Sequence, residues 1–161
     1  MLPFELMKKI ILWILAGIGV LGIIAGGLIF YGIKTDYKYT GQELFDHVNE
    51  HRASIGVPTL ELDPSLCDNL VERYLAIKSP DSGHKGFEEW LKAEGISDNP
   101  KYGTIGEIYI KDASTPEGAI AWWLGSPGHK NTLEMKEMVY GCSYASDGTG
   151  VVILAGKKNS N

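Results

Sequence analysis

The longest apolar run of the chain lies near its amino terminus. From residue 10 to residue 33 the sequence IILWILAGIGVLGIIAGGLIFYGI contains no Asp, Glu, Lys, Arg or His. At a helical rise of about 1.5 Å per residue it would reach roughly 36 Å, which is enough to cross a bilayer. The pattern predicts a transmembrane helix over residues 10–33; a cleaved signal peptide and a buried soluble helix are the alternatives.

The end of this run disfavours a cleaved signal peptide. Such a peptide has an apolar core of about 7–15 residues followed by a small-x-small cleavage site. The site that fits, Ala25 to Gly27, is followed by LIFYGI, so the apolar run continues past it. The lysines on the two sides balance, and the free amino terminus favours residues 1–9 inside. We therefore predict a single-pass signal anchor with the carboxyl-terminal domain extracytoplasmic.

Beyond residue 40 the apolar residues recur at helical spacing. Thr40 to Glu43 (TGQE) is a capping box that opens a helix ending at Gly56. Asp63-Pro64 places a cap and then a proline at the start of a second helix, and a short third helix contains Trp90. The predicted apolar faces of the first two helices are Leu44, Phe45, Val48 and Ile55, and Leu66, Cys67, Leu70, Val71 and Leu75.

The rest of the chain combines strands with helices. TIGEIYIK predicts a strand, Ser114 to Glu117 (STPE) is a second capping box, and Ser126-Pro127 starts a helix with His129 in its first turn. MVYGCSYA and GVVILAG predict two strands joined by a turn at Asp147-Gly148. This order of elements predicts an α+β fold in which helices pack on an antiparallel sheet.

Charge narrows the range of partners. The chain has 15 Lys and Arg and 20 Asp and Glu. Without Lys8, Lys9 and Glu5, residues 34–161 keep 13 basic and 19 acidic residues, a net charge of −6. A surface of that sign disfavours nucleic acid as a partner and offers no polybasic site for anionic lipid.

Cys67 and Cys142 are the only cysteines of the chain. Their neighbours, SLCDNLVERYL and VYGCSYA, have the patterns of a buried helix and a buried strand. Free cysteine packs as a small hydrophobe, and a disulfide needs a separation that the sequence does not specify. We predict two buried thiols, with one disulfide as the alternative.

Three polar residues occupy positions that core packing alone does not explain. His84 lies in a loop, Glu107 inside an apolar strand and His129 at a helix start. Two imidazoles and a carboxylate are the ligand set of a mononuclear zinc (Zn²⁺) or similar divalent site, and equally an acid/base pair. The alternatives are a solvated loop histidine, a glutamate on the exposed face of an edge strand and a histidine that only fills a helix turn. A helix start disfavours cationic histidine, which favours neutral His129.

Two other arrangements match known catalytic motifs poorly. His47 and His51 lie four residues apart on one helix face, but HVNEH is not His-Glu-x-x-His and lacks its general-base glutamate. LGSPG is not Gly-x-Ser-x-Gly because Leu124 stands at the first glycine position. Ser126 is also needed as a helix cap. The sequence thus disfavours a zinc protease and a serine hydrolase of these types.

Several motifs in order resemble one family. Asn49 and Arg52 match its N-x-x-R, Gly106-Glu107 its Gly-Glu strand, and Trp123 with Ser126 to His129 its Trp-x-x-Ser-Pro-Gly-His segment. Over roughly residues 41–156 the chain resembles the CAP superfamily of cysteine-rich secretory proteins, antigen 5 and pathogenesis-related class 1 proteins. Within it, the chain is most similar to the prokaryotic SCP-domain branch.

The resemblance implies an α-β-α sandwich with a cleft of histidines and acidic residues. The matching cleft positions are His84, Glu107 and His129, with Ser126 in the turn that caps the helix and aims His129 into the cleft. The two tryptophans would pack behind it. Because several members hold zinc or another divalent ion, a metal at His84 and His129 is also implied. The domains expected are a linker at residues 34–40, the CAP/SCP domain at residues 41–156 and a tail at residues 157–161.

Departures from the family pattern shape the functional prediction. The second cleft acid of eukaryotic members, roughly Trp-x-x-Glu, has no match between Trp122 and Ser126, and the family's many disulfides are missing. We predict a membrane-anchored, extracytoplasmic CAP/SCP domain that is a non-enzymatic binding module for a lipid or cell-surface ligand. The alternative is a metal-assisted, peptidase-like hydrolase, with His84 and His129 as ligands and Glu107 as general base or third ligand.

Overall fold

The computed structural model describes residues 39–80 and 83–158, which form an α+β fold as predicted. A four-stranded sheet lies between two groups of helices. In chain order the elements are α1 Gly41–Ser54, β1 Glu61–Leu62, α2 Pro64–Cys67, α3 Leu70–Lys78, α4 Phe87–Ala93, β2 Tyr102–Ile110, α5 Pro116–Leu124, α6 Pro127–Glu134, β3 Met138–Ser146 and β4 Thr149–Lys157.

The sheet has the order β1-β3-β4-β2 and is covered on both faces. Its β3–β4 hairpin turns at Asp147 and Gly148, whose φ angles of 52° and 75° suit the tight turn predicted there. The central strand β4 is buried from Thr149 to Gly156, which explains its continuous apolar run. Its side chains alternate between two cores, one with α1, α5 and α6 and the other with α2, α3 and α4.

Helix α1 begins with the predicted capping box. The Glu43 amide donates to Thr40 Oγ1 and the Thr40 amide donates to the Glu43 carboxylate. The helix ends at Ser54, so Ile55 lies beyond its last turn and is exposed instead of buried. Its predicted buried face is therefore one residue shorter than the pattern indicated.

The predicted second helix is broken in two. Asn69 has a left-handed backbone (φ 58°) between α2 and α3, which resets the phase of the residues that follow. Val71 and Leu75 are consequently exposed, and the interior side of α3 carries Arg73 and Tyr74. The prediction of a continuous helix with Val71 and Leu75 buried was wrong, because one residue in the left-handed region changed every later side-chain direction.

The cap of α5 differs by one residue from the prediction. Thr115, not Ser114, precedes the helix, and its hydroxyl accepts from the Gly118 amide at 3.1 Å. Pro116 then takes the first helical position, where its missing amide proton is not needed.

Cys67 and Cys142 form a disulfide. The short helix α2 packs against β3 and brings the two Cα atoms to 5.4 Å, within the range that a disulfide spans. The prediction of two buried thiols was wrong because sequence neighbours reveal burial but not the distance between elements.

Within residues 39–80 and 83–158, no helix combines the length and apolar character needed to cross a membrane. The transmembrane helix predicted over residues 10–33 and most of the predicted linker lie outside the described residues. The anchor and the domain boundaries stay predictions.

Candidate functional site

The four cleft residues singled out in the sequence line one small cavity. It has a volume of about 270 Å³ and lies between the loop before α4, strand β2 and the first turn of α6. Its walls are formed by His84, Glu107, Ser126, Gly128, His129 and Thr132. Residues 45 positions apart in the chain therefore share one polar cleft.

Glu107 lies at the bottom of this cleft. Its side chain is only 1% exposed, so it is not on the open face of an edge strand. The preceding Gly106 is needed where α6 crosses β2, because a β-carbon there would lie 2.7 Å from the Thr132 methyl carbon. The Gly-Glu pair thus combines a close helix–strand approach with a buried carboxylate.

Arg73 of α3 holds the Glu107 carboxylate in a bidentate ion pair. Its Nε donates to Oε2 at 2.5 Å and its Nη2 donates to Oε1 at 2.7 Å. Nη1 donates to the Lys85 carbonyl at 2.9 Å, and the guanidinium lies over the Phe87 ring. Sequence reasoning missed Arg73 because the uninterrupted helix placed it on the solvent side; a charged residue inside LVERYLAI was the available signal.

His84 is tied to this ion pair. Its Nδ1 donates to Glu107 Oε1 at 2.9 Å, and its ring packs edge-on against Tyr109. The side chain is still 51% exposed, so one face of the ring is open to the cleft and solvent. His84 is therefore oriented by the protein and is not a freely solvated loop histidine.

His129 faces His84 across the cleft, with their ring centroids 5.6 Å apart. Its Nδ1 is 2.8 Å from Ser126 Oγ. Burial, followed by the charge of His84, lowers the pKa of His129 despite the opposing effect of Glu107, so the neutral ring is favoured as predicted from its place in the helix. The Ser126 hydroxyl does not cap α6, contrary to the prediction, because it bonds to this imidazole instead.

His129 Nε2 is buried and has no hydrogen-bond partner within the described part of the chain. Either tautomer leaves a polar atom unsatisfied at this position: a donor if Ser126 donates to Nδ1, an acceptor if Nδ1 donates to Ser126. Such an atom is a candidate contact for a ligand in the cleft.

The two tryptophans have different roles. Trp123 is fully buried, and its Nε1 donates to the Tyr109 carbonyl at 2.8 Å, which fixes α5 against β2. Trp122 is 53% exposed, and its ring centroid is 5.2 Å from that of His129. The expectation that both tryptophans pack behind the helix was wrong for Trp122, which is exposed and lies beside the His129 ring.

Known structures share this arrangement of elements. An extracellular protein containing an SCP domain from Bacillus anthracis matches 72% of the chain at 22% identity with a TM-score of 0.61. A cysteine-rich secretory protein from Staphylococcus aureus matches 73% at 19% identity and a TM-score of 0.60. The chain has the SCP-domain fold. The resemblance to prokaryotic SCP-domain proteins, which was predicted from the sequence motifs, is thereby confirmed.

The matched proteins differ in how much of their own length this chain covers. The chain spans 40% of the Bacillus protein and 38% of the Staphylococcus protein. An outer surface protein from Borrelia burgdorferi is covered over 98% of its length, with 75% of this chain, 20% identity and a TM-score of 0.53. No family model and no curated protein matches the chain by sequence.

Asn49 and Arg52, the two residues of the N-x-x-R motif, bond to backbone groups and do not line the cleft. The Asn49 side chain forms two hydrogen bonds with the backbone of Leu60. Its Oδ1 accepts from the Leu60 amide at 2.7 Å, and its Nδ2 donates to the Leu60 carbonyl at 3.1 Å. Arg52 is fully buried and donates to four backbone carbonyls, those of Pro58, Leu133, Met135 and Met138.

His47 and His51 do not form a joint site. His47 Nε2 is 2.9 Å from Glu117 on α5, and His51 Nε2 is 3.0 Å from Glu134 on α6. Each imidazole links α1 to a different helix, so the pair stabilises helix packing.

The metal that the SCP resemblance implies can be tested against the donor set. In the described ranges no three His, Cys, Asp or Glu side chains are arranged to hold a metal ion. Both oxygens of Glu107 accept from Arg73, and His84 Nδ1 already bonds to the same carboxylate. These residues do not fit a divalent ion well, because Glu107, the one carboxylate among the described residues that line the cleft, is already paired with Arg73. The metal that the resemblance implies at His84 and His129 is untested, and these contacts argue against it.

Proposed function

We propose that the protein is a membrane-anchored, extracytoplasmic SCP-domain receptor that binds a cell-surface ligand in its cleft and does not catalyse a reaction. The buried Nε2 of His129, which has no hydrogen-bond partner among residues 39–80 and 83–158, carries this proposal. A buried polar atom without a partner costs about 1–3 kcal/mol, and a ligand that pairs with it recovers that free energy on binding. The exposed ring of Trp122 beside His129 offers such a ligand an apolar contact.

Two observations support a location outside the cytoplasm. The similar structures from Bacillus anthracis and Borrelia burgdorferi are described as extracellular and outer surface proteins. The Cys67–Cys142 disulfide is typical of an oxidising compartment. The apolar run at residues 10–33 is the proposed anchor.

Among the described residues of the cleft, we find no activated catalytic group of the usual kind. Both oxygens of Glu107 already accept hydrogen bonds from Arg73, and Oε1 also accepts one from His84. Ser126 and His129 are in contact, but within the described residues no third group orients the imidazole through Nε2, as an activated serine requires. These contacts favour binding over the metal-assisted hydrolase.

Histidine NMR offers a direct test, since the chain contains only four histidines. Full-length protein labelled in its histidine rings is titrated in non-ionic detergent with soluble cell-wall glycopeptide fragments, a probe chosen because the similar structures are bacterial. We expect shifts at His84 and His129 and none at His47 and His51, which lie outside the cleft and act as internal controls.

His129→Ala should abolish the shift at His84. Turnover of the fragments or of a peptide that stops in the same variant would instead establish the hydrolase. Shifts of equal size at all four histidines would contradict a specific cleft.

A further inference from the structure

The charge of the cleft is determined by a residue outside its lining. Arg73 lies behind Glu107 and is itself 1% exposed in its side chain. We propose that Arg73 is a specificity-determining residue: a built-in cation that occupies the carboxylate and excludes divalent metal ions from the cleft. This inference goes beyond the proposed function and does not depend on which ligand the cleft binds.

Three separate segments keep the guanidinium in place. Two of its nitrogen atoms bond to Glu107 on β2, and the third bonds to the Lys85 carbonyl in the loop before α4. The Phe87 ring lies 5.6 Å from its Cζ atom. Moving the guanidinium away from Glu107 would therefore break the Lys85 contact as well, so a metal ion cannot displace it by a simple side-chain rotation.

Electrostatics oppose a second cation at the same carboxylate. Arginine stays protonated in proteins, and its fork matches the two carboxylate oxygens. Both side chains are buried, so solvent screens the repulsion between guanidinium and an incoming divalent ion only weakly. The ion would have to share the Glu107 carboxylate with a guanidinium that is hydrogen-bonded to both of its oxygens.

The remaining donors do not compensate. His84 Nδ1 is bonded to Glu107, which leaves its Nε2 and the Nε2 of His129 as the two imidazole nitrogens that could face an ion. A carboxylate behind a histidine ordinarily raises its strength as a ligand. Here Arg73 draws on the same carboxylate oxygen, Oε1, and weakens that support. Removing Arg73 would expose a full negative charge beside two imidazoles.

The test is a zinc chloride titration by calorimetry on the full chain in non-ionic detergent. The variants are wild type, Arg73→Met, Arg73→Lys and Arg73→Met/His129→Ala. We expect Arg73→Met to bind zinc at least tenfold more tightly than wild type, because Met keeps the volume and removes the charge. Arg73→Lys keeps the charge and should resemble wild type, and the double variant should lose the gain.

Two results would overturn the proposal. One is a folded Arg73→Met protein that binds zinc no more tightly than wild type. The other is zinc binding by the wild type at micromolar or tighter concentration that disappears in His129→Ala. This result needs no Arg73 variant, so it tests the proposal even if Arg73→Met does not fold. Neither result alters the histidine NMR test, so the two proposals fail independently.

Discussion

At the scale of single residues, the cleft histidines are distinguished by what their nitrogens bond to. His84 Nδ1 bonds to the Glu107 carboxylate and His129 Nδ1 to the Ser126 hydroxyl. The first imidazole is therefore next to a charged group and the second next to a neutral one. Burial, then the nearby His84, lowers the pKa of His129. The lowered pKa of His129 favours its neutral ring, which can accept or donate one hydrogen bond at Nε2.

This shift predicts a pH-dependent contribution to stability. Because the folded pKa of His129 lies below the unfolded value near 6.5, the unfolded chain binds more protons as the pH falls below 6.5. Stability from this group is full above pH 6.5 and is lost as the pH falls toward the folded pKa. We expect the melting temperature of His129→Gln to fall less than that of wild type between pH 7 and pH 5. A ring titration midpoint at or above 6.5 would contradict this.

At the scale of elements, His47 links α1 to α5 through two hydrogen bonds that require its protonated form. Its Nδ1 donates to the Glu43 carbonyl and its Nε2 faces the Glu117 carboxylate at 2.9 Å. A neutral imidazole has one donor, so both bonds are satisfied only when the ring is protonated. Burial opposes the charge, but these bonds and the nearby Glu50 raise the pKa of His47.

The stabilisation by the His47–Glu117 contact should therefore depend on pH in the opposite sense from the stabilisation by His129. A raised folded pKa means that stabilisation is full below the unfolded value near 6.5 and is lost as the pH rises through the folded value. Melting temperatures of His47→Gln and Glu117→Gln should approach that of wild type as the pH rises from 6 to 8. Equal differences at both ends of the range would mean that the pair contributes through packing alone.

The elements also show what the sequence can predict. Caps, prolines and turn residues act over three or four positions, so α1, α6 and the β3–β4 hairpin were located from the sequence. Asn69 in the left-handed region follows no such pattern, and it decides that Arg73 points inward. Glu107 stood out as a polar residue in an apolar strand, and His84 and His129 as histidines in a loop and at a helix start. Their partner Arg73 did not, since its role depends on a contact 34 residues away.

At the scale of the whole molecule, the sheet separates two helical groups, and the disulfide joins α2 on one side directly to β3. It closes a loop of 75 residues that includes α3, α4 and β2, and with them Arg73, His84 and Glu107. The residues on one side of the cleft thus lie inside the closed loop. Ser126 and His129 lie in the same loop on the opposite wall.

The disulfide should contribute strongly to stability. Closing a loop of this length restricts the unfolded chain, and a native disulfide typically stabilises by roughly 2–4 kcal/mol. Cys67→Ala/Cys142→Ala should lower the free energy of unfolding by about that amount in denaturant titrations. Reduced wild type is the matched control and should unfold at the same midpoint as the double variant.

The same bond reports the compartment in which the domain folds. Blocking free thiols in intact cells before lysis, followed by a non-reducing gel, should show both cysteines oxidised, because cytosolic thiol systems keep such pairs reduced. Full-length protein recovered with the membranes in this oxidised form would support both the anchor and the extracytoplasmic domain. A fully thiol-blocked pair would place the domain in a reducing compartment and contradict the proposed receptor role, while the fold and its cleft would be unaffected.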